Sequence, residues 1–202
     1  MALKRNETVE ERIYLLRHGE TSWNAEGRLQ GQTDIPMSEK GVRQIRQLGE
    51  RLKEQSFHVT QIVCSPLLRA RQTAEIIADA LGLNGKVRYE ELLTERSFGH
   101  LEGTIWTPEL DFSDPADKVE SVESLCGRAR AAFLKYRGQK NLLFLAHGAI
   151  LTAMVSVLTD GRIPYDDKKM FVKQGDVLCW ERTSPQETGT IRYWLDDSDS
   201  KG

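Results

Sequence analysis

The sequence predicts an α/β protein: a three-layer α/β/α sandwich with a mostly parallel central sheet and an antiparallel hairpin at one edge. Short apolar segments alternate along the 202 residues with longer segments whose apolar residues recur at helical spacing. This alternation is typical of parallel strands joined by helices. The last two apolar segments, 176–181 and 190–195, are separated only by a polar loop, which predicts the edge hairpin.

The first half of the chain is predicted to supply two strands and two helices. The strands span 13–17 and 59–65, and a long polar loop, 18–37, follows the first. A loop of this length in a compact domain is usually functional or disordered. The helices span 38–55 and 65–81, and each begins with a serine, a preferred N-cap residue. In the second helix a proline follows the serine, as expected at a helix start.

The second half begins with a short strand predicted over 86–90. The segment 104–120 carries two prolines and five acidic residues against one lysine, which indicates an acidic, irregular excursion. A helix over 121–137, a strand over 141–146 and a further apolar helix precede the hairpin. Because no domain boundary is visible, residues 1–202 are predicted to form a single domain.

Composition and charge exclude several classes of function. A net charge of −2 supplies no global basic field for nucleic acid or an anionic membrane, and no apolar segment approaches membrane-spanning length. The charged leader 1–12 lacks the pattern of a secretory signal, and both it and the tail 196–202 are predicted to be flexible. We expect a cytoplasmic protein, and the sequence makes no prediction of its oligomeric state.

The cysteines indicate neither a metal site nor a disulfide framework. Cys64, Cys126 and Cys179 are odd in number and lie far apart, with no Cys-x-x-Cys pair. Cys64 and Cys179 fall in apolar segments and are interpreted as buried thiols. This pattern fits a reducing compartment.

Polar residues follow three predicted strands at their carboxyl ends: Arg17-His18-Gly19, Ser65 leading to Arg69, and His147-Gly148. Because parallel strands end at the same edge of a sheet, these groups should converge. Guanidinium groups pair bidentately with phosphoryl oxygens, helix N-termini add partial positive charge, and an imidazole can attack phosphorus. We therefore predict a phosphate site with a nucleophilic histidine, in which Gly19 exposes backbone N–H groups to the anion.

A leaving alkoxide also needs a proton, and Glu95 is the best-placed acid in the sequence. It follows a strand that should neighbour the other three. As a donor it must be protonated near neutral pH, which burial or a neighbouring phosphate dianion would favour. The ionised carboxylate could then activate water in a second step.

Each of these residues also has a purely structural interpretation. His147 could be a satisfied core histidine, Arg69 a surface cation and Asn24 a turn cap. Glu95 could form a surface salt bridge with a neighbouring arginine. Three tryptophans are interpreted as packing residues rather than a sugar platform: Trp106, Trp180 and Trp194. The structural interpretations weaken because two strand–His–Gly units and an arginine-bearing helix start occur in one chain.

Four segments of the chain resemble motifs of the histidine phosphatase (phosphoglycerate mutase-like) superfamily. They are Arg17-His18-Gly19-Glu20-Thr21 with Trp23-Asn24, the segment 65–74, the segment 93–103 around Glu95, and Ala146-His147-Gly148. The motifs stand in the family's order, and the resemblance extends from about residue 13 to 182. The first motif alone is moderately specific, and the four together are highly specific.

The resemblance implies a role for each candidate residue. His18 would be the nucleophile that becomes phosphohistidine, and Glu95 would be the proton donor. Three side chains would bind the phosphoryl group and stabilise its charge: Arg17, Arg69 and His147. Three further residues would line the pocket: Asn24, Gln30 and Gly31. The N-terminus of the helix at Gly148 would add positive charge. Family members need no metal or organic cofactor for phosphatase activity.

Within this superfamily the sequence favours a phosphatase, a phosphoric monoester hydrolase acting on a small phosphorylated metabolite, over a phosphoglycerate mutase. Only 51 residues separate Glu95 from His147, whereas the cofactor-dependent mutases carry a longer insertion with extra arginines there. The segment 104–120 has no arginine. If this acidic segment forms a lid over the pocket, it would repel a multiply anionic substrate. Val122 stands where the family often has glycine, which leaves the lid conformation open. The alternatives are a mutase and, from another class, a non-catalytic phosphate-binding protein.

Overall fold

The computed structural model describes residues 9–169, 171–184 and 186–194. The strands in this part of the chain are β1 (Glu11–Arg17), β2 (Gln61–Cys64), β3 (Val87–Tyr89), β4 (Leu142–Ala146), β5 (Val177–Arg182) and β6 (Thr190–Tyr193). They form one sheet in the order β3-β2-β4-β1-β5-β6. The first four of that order pair in parallel, whereas β5 runs antiparallel to both β1 and β6. The predicted mostly parallel sheet with an antiparallel edge hairpin is therefore confirmed.

Helices cover both faces of this sheet. They are α1 (Ser22–Ala25), α2 (Glu39–Glu54), α3 (Leu68–Ala80), α4 (Val122–Tyr136) and α5 (Gly148–Leu158). Successive residues of β1 point to opposite faces, as the pleat requires. Ile13 and Leu15 pack in the core beneath α4 and α5, while Tyr14 and Leu16 pack in the core beneath α2 and α3. The predicted three-layer sandwich is confirmed.

The parallel register brings the carboxyl ends of three central strands together. Arg17 in β1 lies opposite Ala146 in β4, and Cys64 in β2 lies opposite Leu145. The chain leaves each strand at this edge, and the His18 amide still donates to the Ala146 carbonyl at 3.0 Å. Residues that directly follow these strands are thus placed side by side.

The start of β1 differs from the prediction. The leader was expected to be flexible up to residue 12, but β1 begins at Glu11 because it pairs with the end of β5. Ion pairs reinforce this pairing: Arg182 contacts Glu11 at 2.5 Å and Arg12 contacts Glu181 at 2.5 Å. The remaining leader residues 1–8 and the tail 196–202 lie outside the described residues, as does the predicted last hairpin position, residue 195.

The start of α3 also differs from the prediction. The helix begins at Leu68, and its N-cap position, Leu67, makes no side-chain cap. Ser65, the predicted N-cap, is fully buried, and its hydroxyl contacts His147. The Leu68 amide instead donates to the Asp34 carboxylate at 2.6 Å, so a residue of the loop 18–37 caps this helix.

The long connections are mostly irregular, as predicted. The loop 18–37 contains the one-turn helix α1, closed by a capping box between Thr21 and Asn24. The segment 104–120, which we call the lid, is irregular except for the one-turn 3₁₀ helix Pro115–Asp117. Similar single turns lie at Glu91–Leu93 and Gly99–Leu101. Within the described ranges, no helix has the length and hydropathy that crossing a membrane would require.

Candidate active site

A cavity of about 350 Å³ opens at the carboxyl edge of the parallel strands. Eight of the nine predicted site residues line it: Arg17, His18, Asn24, Gln30, Gly31, Arg69, Glu95 and Gly148. The ninth, His147, is fully buried and lies behind the wall, with its ring centroid 5.0 Å from that of His18. The structure therefore brings the predicted residues together, although they come from three strand ends and two loops.

A contact with the backbone of the next residue holds His18 in one orientation. Its Nδ1 lies 2.8 Å from the Gly19 carbonyl oxygen, and because a carbonyl can only accept, Nδ1 carries the proton. Nε2 keeps its lone pair and accepts from Arg69 Nε–H at 3.3 Å. Burial, together with the charges of Arg17 and Arg69, holds the pKa of His18 well below its usual value. A neutral imidazole with its Nε2 lone pair at the cavity follows.

Two guanidinium groups flank His18. Arg69 is fully buried, and its Nη1 and Nη2 donate to the carbonyls of Thr33 and Gly31 at 2.9 and 2.7 Å. These bonds fix the guanidinium beside the cavity, so the interpretation of Arg69 as a surface cation is wrong. Burial lowers the pKa of Arg17 to about 10, against the opposing charge of Glu95. Arg17 is therefore charged at neutral pH. Burial also lowers the pKa of Arg69 from its usual high value.

Glu95 lies at the N-terminus of α5. Its carboxylate accepts hydrogen bonds from the amides of Arg96, Ala149 and Ile150 at 2.9, 3.2 and 3.1 Å. The side chain is buried, with 7% of its surface exposed. The suggested surface salt bridge is therefore wrong, since backbone amides bind this carboxylate and Arg96 pairs elsewhere, with Asp167. Glu95 lines the same cavity as Arg17 and Arg69, and its charge acts on both guanidinium groups.

His147 occupies the N-cap position of α5 and contacts a serine. Its Nε2 lies 2.7 Å from the Ser65 hydroxyl. The same hydroxyl accepts a hydrogen bond from the Leu67 amide at 3.3 Å. Its Nδ1 is buried without a hydrogen-bond partner among the described residues. Burial is the main reason that the pKa of His147 is well below its usual value, and the charge of Arg69 adds to it. Only one of its two ring nitrogens thus has a hydrogen-bond partner among the described residues, which distinguishes His147 from an ordinary core histidine.

The remaining predicted lining residues form a hydrogen-bonded group in the loop 18–37. The Thr21 hydroxyl contacts Gln30 Oε1 at 2.9 Å and Asn24 Oδ1 at 3.1 Å. Gly31 has a positive φ of 52°, and a Cβ there would lie 2.0 Å from Glu102 Oε1. Glycine suits this position, because L residues with a side chain rarely adopt this conformation and a Cβ would have to displace the Glu102 carboxylate. Asn24 caps a turn, as its structural interpretation suggested, and also lines the cavity.

Gly19 does not act as predicted. Its amide is not turned to an anion but donates to the Thr73 hydroxyl at 3.0 Å. Thr73 in turn donates to the Arg69 carbonyl at 2.7 Å, so it joins the two segments that carry His18 and Arg69. Glycine is needed because a Cβ would lie 2.5 Å from Met37 Sδ and 2.6 Å from Ile45 Cγ1.

Sequence reasoning missed a large part of the cavity wall. Four aromatic residues, which we call the aromatic wall, line the same cavity: Phe98, Trp106, Phe112 and Tyr165. The segment 165–169 also contributes two acids and two lysines. The only signal for this segment was the charged run Asp166-Asp167-Lys168-Lys169, which is typical of a solvated loop. The aromatic residues are scattered along the chain without a motif.

Two predictions about the lid are corrected. Its residues at the cavity are Trp106 and Phe112 rather than its five acids, so the lid does not give the cavity a negative wall. Five cationic and three acidic side chains line the cavity instead. Trp106 is 39% exposed and does not serve as a packing residue. The packing interpretation holds for Trp180, which is 2% exposed, and for Trp194, whose ring meets Tyr14 at 5.3 Å.

The set of donors suits an anion better than a cation. In the described part of the chain, no three side chains of His, Cys, Asp or Glu cluster as a metal site would require. The centre of the cavity instead offers guanidinium groups from Arg17 and Arg69 beside a neutral imidazole. Such a set binds a tetrahedral oxyanion and presents one nitrogen to it.

Comparison with known proteins gives consistent relationships. The family model of the histidine phosphatase superfamily (branch 1) matches residues 13–186. The probable phosphoglycerate mutase GpmB of Klebsiella pneumoniae is 38% identical over 160 residues, which cover 72% of this chain and 74% of the relative. A solved mycobacterial glucosyl-3-phosphoglycerate phosphatase has a TM-score of 0.73 at 22% identity, covering 92% of this chain and 98% of that one. A phosphoglycerate mutase from Bacillus anthracis str. Sterne gives 0.74 at 24% identity, covering 94% of each.

Proposed function

This chain belongs to the histidine phosphatase superfamily, and we propose that it is a phosphatase that hydrolyses a small phosphomonoester through a phosphohistidine intermediate on His18. The observation that carries the proposal is the state of His18. Its Nδ1 proton is bound to the Gly19 carbonyl, and its Nε2 lone pair faces a cavity with two guanidinium groups. A neutral imidazole in this position is a nucleophile for an electrophilic phosphorus.

In the first proposed step, His18 Nε2 forms a bond to phosphorus while the ester P–O bond breaks. Glu95 gives a proton to the leaving oxygen, and the alcohol departs. Arg17 and Arg69 stabilise the charge on the phosphoryl oxygens during transfer. The Nδ1–H···O=C bond to Gly19 disperses the positive charge that develops on the ring.

In the second proposed step, water attacks the phosphoryl group and the P–N bond breaks. Glu95, now ionised, takes the proton of the attacking water, so the enzyme returns to its starting state with inorganic phosphate as product. His147 stays neutral in this scheme. With Ser65 donating to its Nε2, its Nδ1–H can bind a phosphoryl oxygen beside His18.

The test is turnover of 4-nitrophenyl phosphate in excess chelator, with His18→Ala and His58→Ala measured in parallel. His58 is an exposed histidine outside the cavity. Loss of the nucleophile should lower kcat by at least about a thousandfold, while the control retains wild-type activity. Acid-labile radiolabelled phosphate should be trapped on the wild-type protein only when His18 is present. Full activity of His18→Ala would exclude this mechanism.

A phosphoglycerate mutase is the second candidate, because a relative 38% identical is named as a probable one and the cavity wall carries more cations than acids. A mutase returns the phosphoryl group from His18 to an intermediate rather than to water. Phosphorus NMR of 3-phosphoglycerate with bisphosphoglycerate separates the two. Release of free phosphate that outruns isomerisation supports the phosphatase, and the reverse supports the mutase.

As proposed, the enzyme acts on phosphorylated metabolites of the cytoplasm and needs no cofactor. Its three cysteines are free thiols, which fits a reducing compartment. The chemistry above uses only groups of this chain, which is why the test is run in excess chelator. The fold-level similarity to a sugar-phosphoglycerate phosphatase does not name the substrate here.

A further inference from the structure

The aromatic wall is a built structure rather than a chance exposure of apolar residues. Behind it lies Arg96, which is 2% exposed. Its guanidinium carbon is 5.7, 5.5 and 5.9 Å from the ring centroids of Phe98, Phe112 and Tyr165. Arg96 also pairs with Asp167 and donates to the Glu120 carbonyl at 2.7 Å. One buried cation thus fixes three rings contributed by three separate segments.

Trp106 completes the wall from the opposite side. Its amide donates to the Gly27 carbonyl at 2.8 Å. The same two segments form a second hydrogen bond, from the Leu29 amide to the Thr104 carbonyl at 2.9 Å. The backbone of Trp106 is thus held at the cavity, and 39% of the residue's surface is exposed. Covering an exposed indole with an apolar ligand group stabilises the complex, because it removes apolar surface from water.

The charges beside the wall are mostly neutralised. Arg28 pairs with Glu26 at 2.5 Å and also donates to the Gly103 carbonyl. Lys169 pairs with Asp166 at 3.3 Å. The cations at this end of the cavity are Arg28, Lys168 and Lys169. Because Arg28 and Lys169 already pair with acids, this end favours an uncharged group over a second anion.

From these contacts we propose that the aromatic wall selects phosphomonoesters whose alcohol carries an uncharged aromatic ring. The phosphoryl group lies at His18 and the ring stacks within the wall, against Trp106. As a substrate class this inference rests on the proposed function. Sugar phosphates and phosphoglycerates, whose alcohols are polar or charged, would leave the wall uncovered.

The first test measures binding without turnover. Benzylphosphonate and ethylphosphonate carry the same anionic group and cannot be hydrolysed. The difference between their affinities, measured by calorimetry, therefore reports the contribution of the aromatic ring. We expect benzylphosphonate to bind at least about tenfold more tightly, the effect of one stacked ring. Trp106→Ala should reduce that preference to about twofold. Ile105→Ala, which removes a neighbour that is 59% exposed and lies outside the cavity lining, should preserve it.

Phe112→Leu provides a second variant in case Trp106→Ala folds poorly, and it should also lower the preference. Equal affinity for the two phosphonates, or binding of neither, overturns the inference. A preference that survives both substitutions overturns the assignment to the aromatic wall.

The second test uses benzyl phosphate and ethyl phosphate, whose alcohols are similar leaving groups. A higher kcat/KM for the benzyl ester that falls in Trp106→Ala supports the substrate class. Selective binding of benzylphosphonate with no hydrolysis of either ester would retain the wall but refute the phosphatase function. Hydrolysis of both esters at equal kcat/KM would support the phosphatase and overturn the selectivity.

Discussion

The proposed phosphoryl transfer depends on single atoms of His18. A histidine after an apolar strand indicates a candidate nucleophile, but only the structure identifies Nε2 as the unprotonated nitrogen. The 2.8 Å contact from Nδ1 to the Gly19 carbonyl decides it. The residue that supplies this carbonyl has to be glycine, because a Cβ at position 19 would meet Met37 and Ile45. The hydrogen bond to the Gly19 carbonyl therefore sets the tautomer of His18.

Glu95→Gln should separate proton donation from phosphoryl binding. The amide keeps the size of the side chain at the N-terminus of α5 but cannot give up a proton. We expect kcat for benzyl phosphate to fall by about 10²–10⁴-fold. The fall should be much smaller for 4-nitrophenyl phosphate, because its leaving group departs without protonation. Steady-state kinetics with both esters checks this, and an equal loss for both would assign Glu95 to binding instead.

The sequence predicted nine site residues, and eight of them line the cavity. Most of them follow strands, and strand ends have a defined place in a parallel sheet. Asn24, Gln30 and Gly31 were instead implied by the resemblance to the superfamily. Arg96 and Tyr165 were missed because they follow no such rule. Their positions depend on how the lid and the segment 165–169 fold over the cavity, which no local pattern encodes. Ser65 was found but misassigned, since a serine before proline indicates a cap equally well.

At the level of elements, α3 shows how tertiary contacts override a local signal. The Ser-Pro pair predicts a helix from residue 65, but the Ser65 hydroxyl binds His147 and the helix begins three residues later. The amide left at Leu68 is then capped by Asp34. The loop 18–37 thus caps the helix that carries Arg69, while Arg69 binds the loop in return through Gly31 and Thr33.

Asp34→Ala should loosen this mutual arrangement. Loss of the cap should lower the free energy of unfolding by about 1 kcal/mol, and KM for phosphate esters should rise because the Arg69 guanidinium is less well fixed. Asp114→Ala is the matched control, since it removes a carboxylate cap from the single 3₁₀ turn in the lid rather than from a three-turn helix. Urea unfolding and steady-state kinetics measure both effects. Equal behaviour of the two variants would show that the cap at α3 has no special role.

The architecture of the whole molecule was predictable because it depends on periodicity. Buried segments such as β4, in which all five residues are buried, indicate strands covered on both faces. Helical spacing in the intervening segments completes the three layers. The start of β1 and the form of the lid were not predictable, because they depend on ion pairs and turns between distant segments.

The whole molecule should become less stable in mild acid because it buries two neutral imidazoles. The pKa values of His18 and His147 are well below their usual value in the folded protein, whereas in the unfolded chain both should return to about 6.5. Below that pH the unfolded state binds more protons, so the free energy of unfolding falls as the pH falls. Between pH 7.5 and 5.5 each histidine should contribute a loss of at most about 1.4 kcal/mol.

Urea unfolding at the two pH values, in phosphate-free buffer, measures this loss. His18→Asn removes one of the two imidazoles and should roughly halve the difference between pH 7.5 and 5.5. His58→Gln removes an exposed imidazole and should leave the difference as in the wild type. Acidic groups contribute little in this window, since they protonate mainly at lower pH. A His18→Asn variant with an undiminished difference would mean that His18 is protonated in the folded protein, and such a ring has no lone pair with which to attack phosphorus.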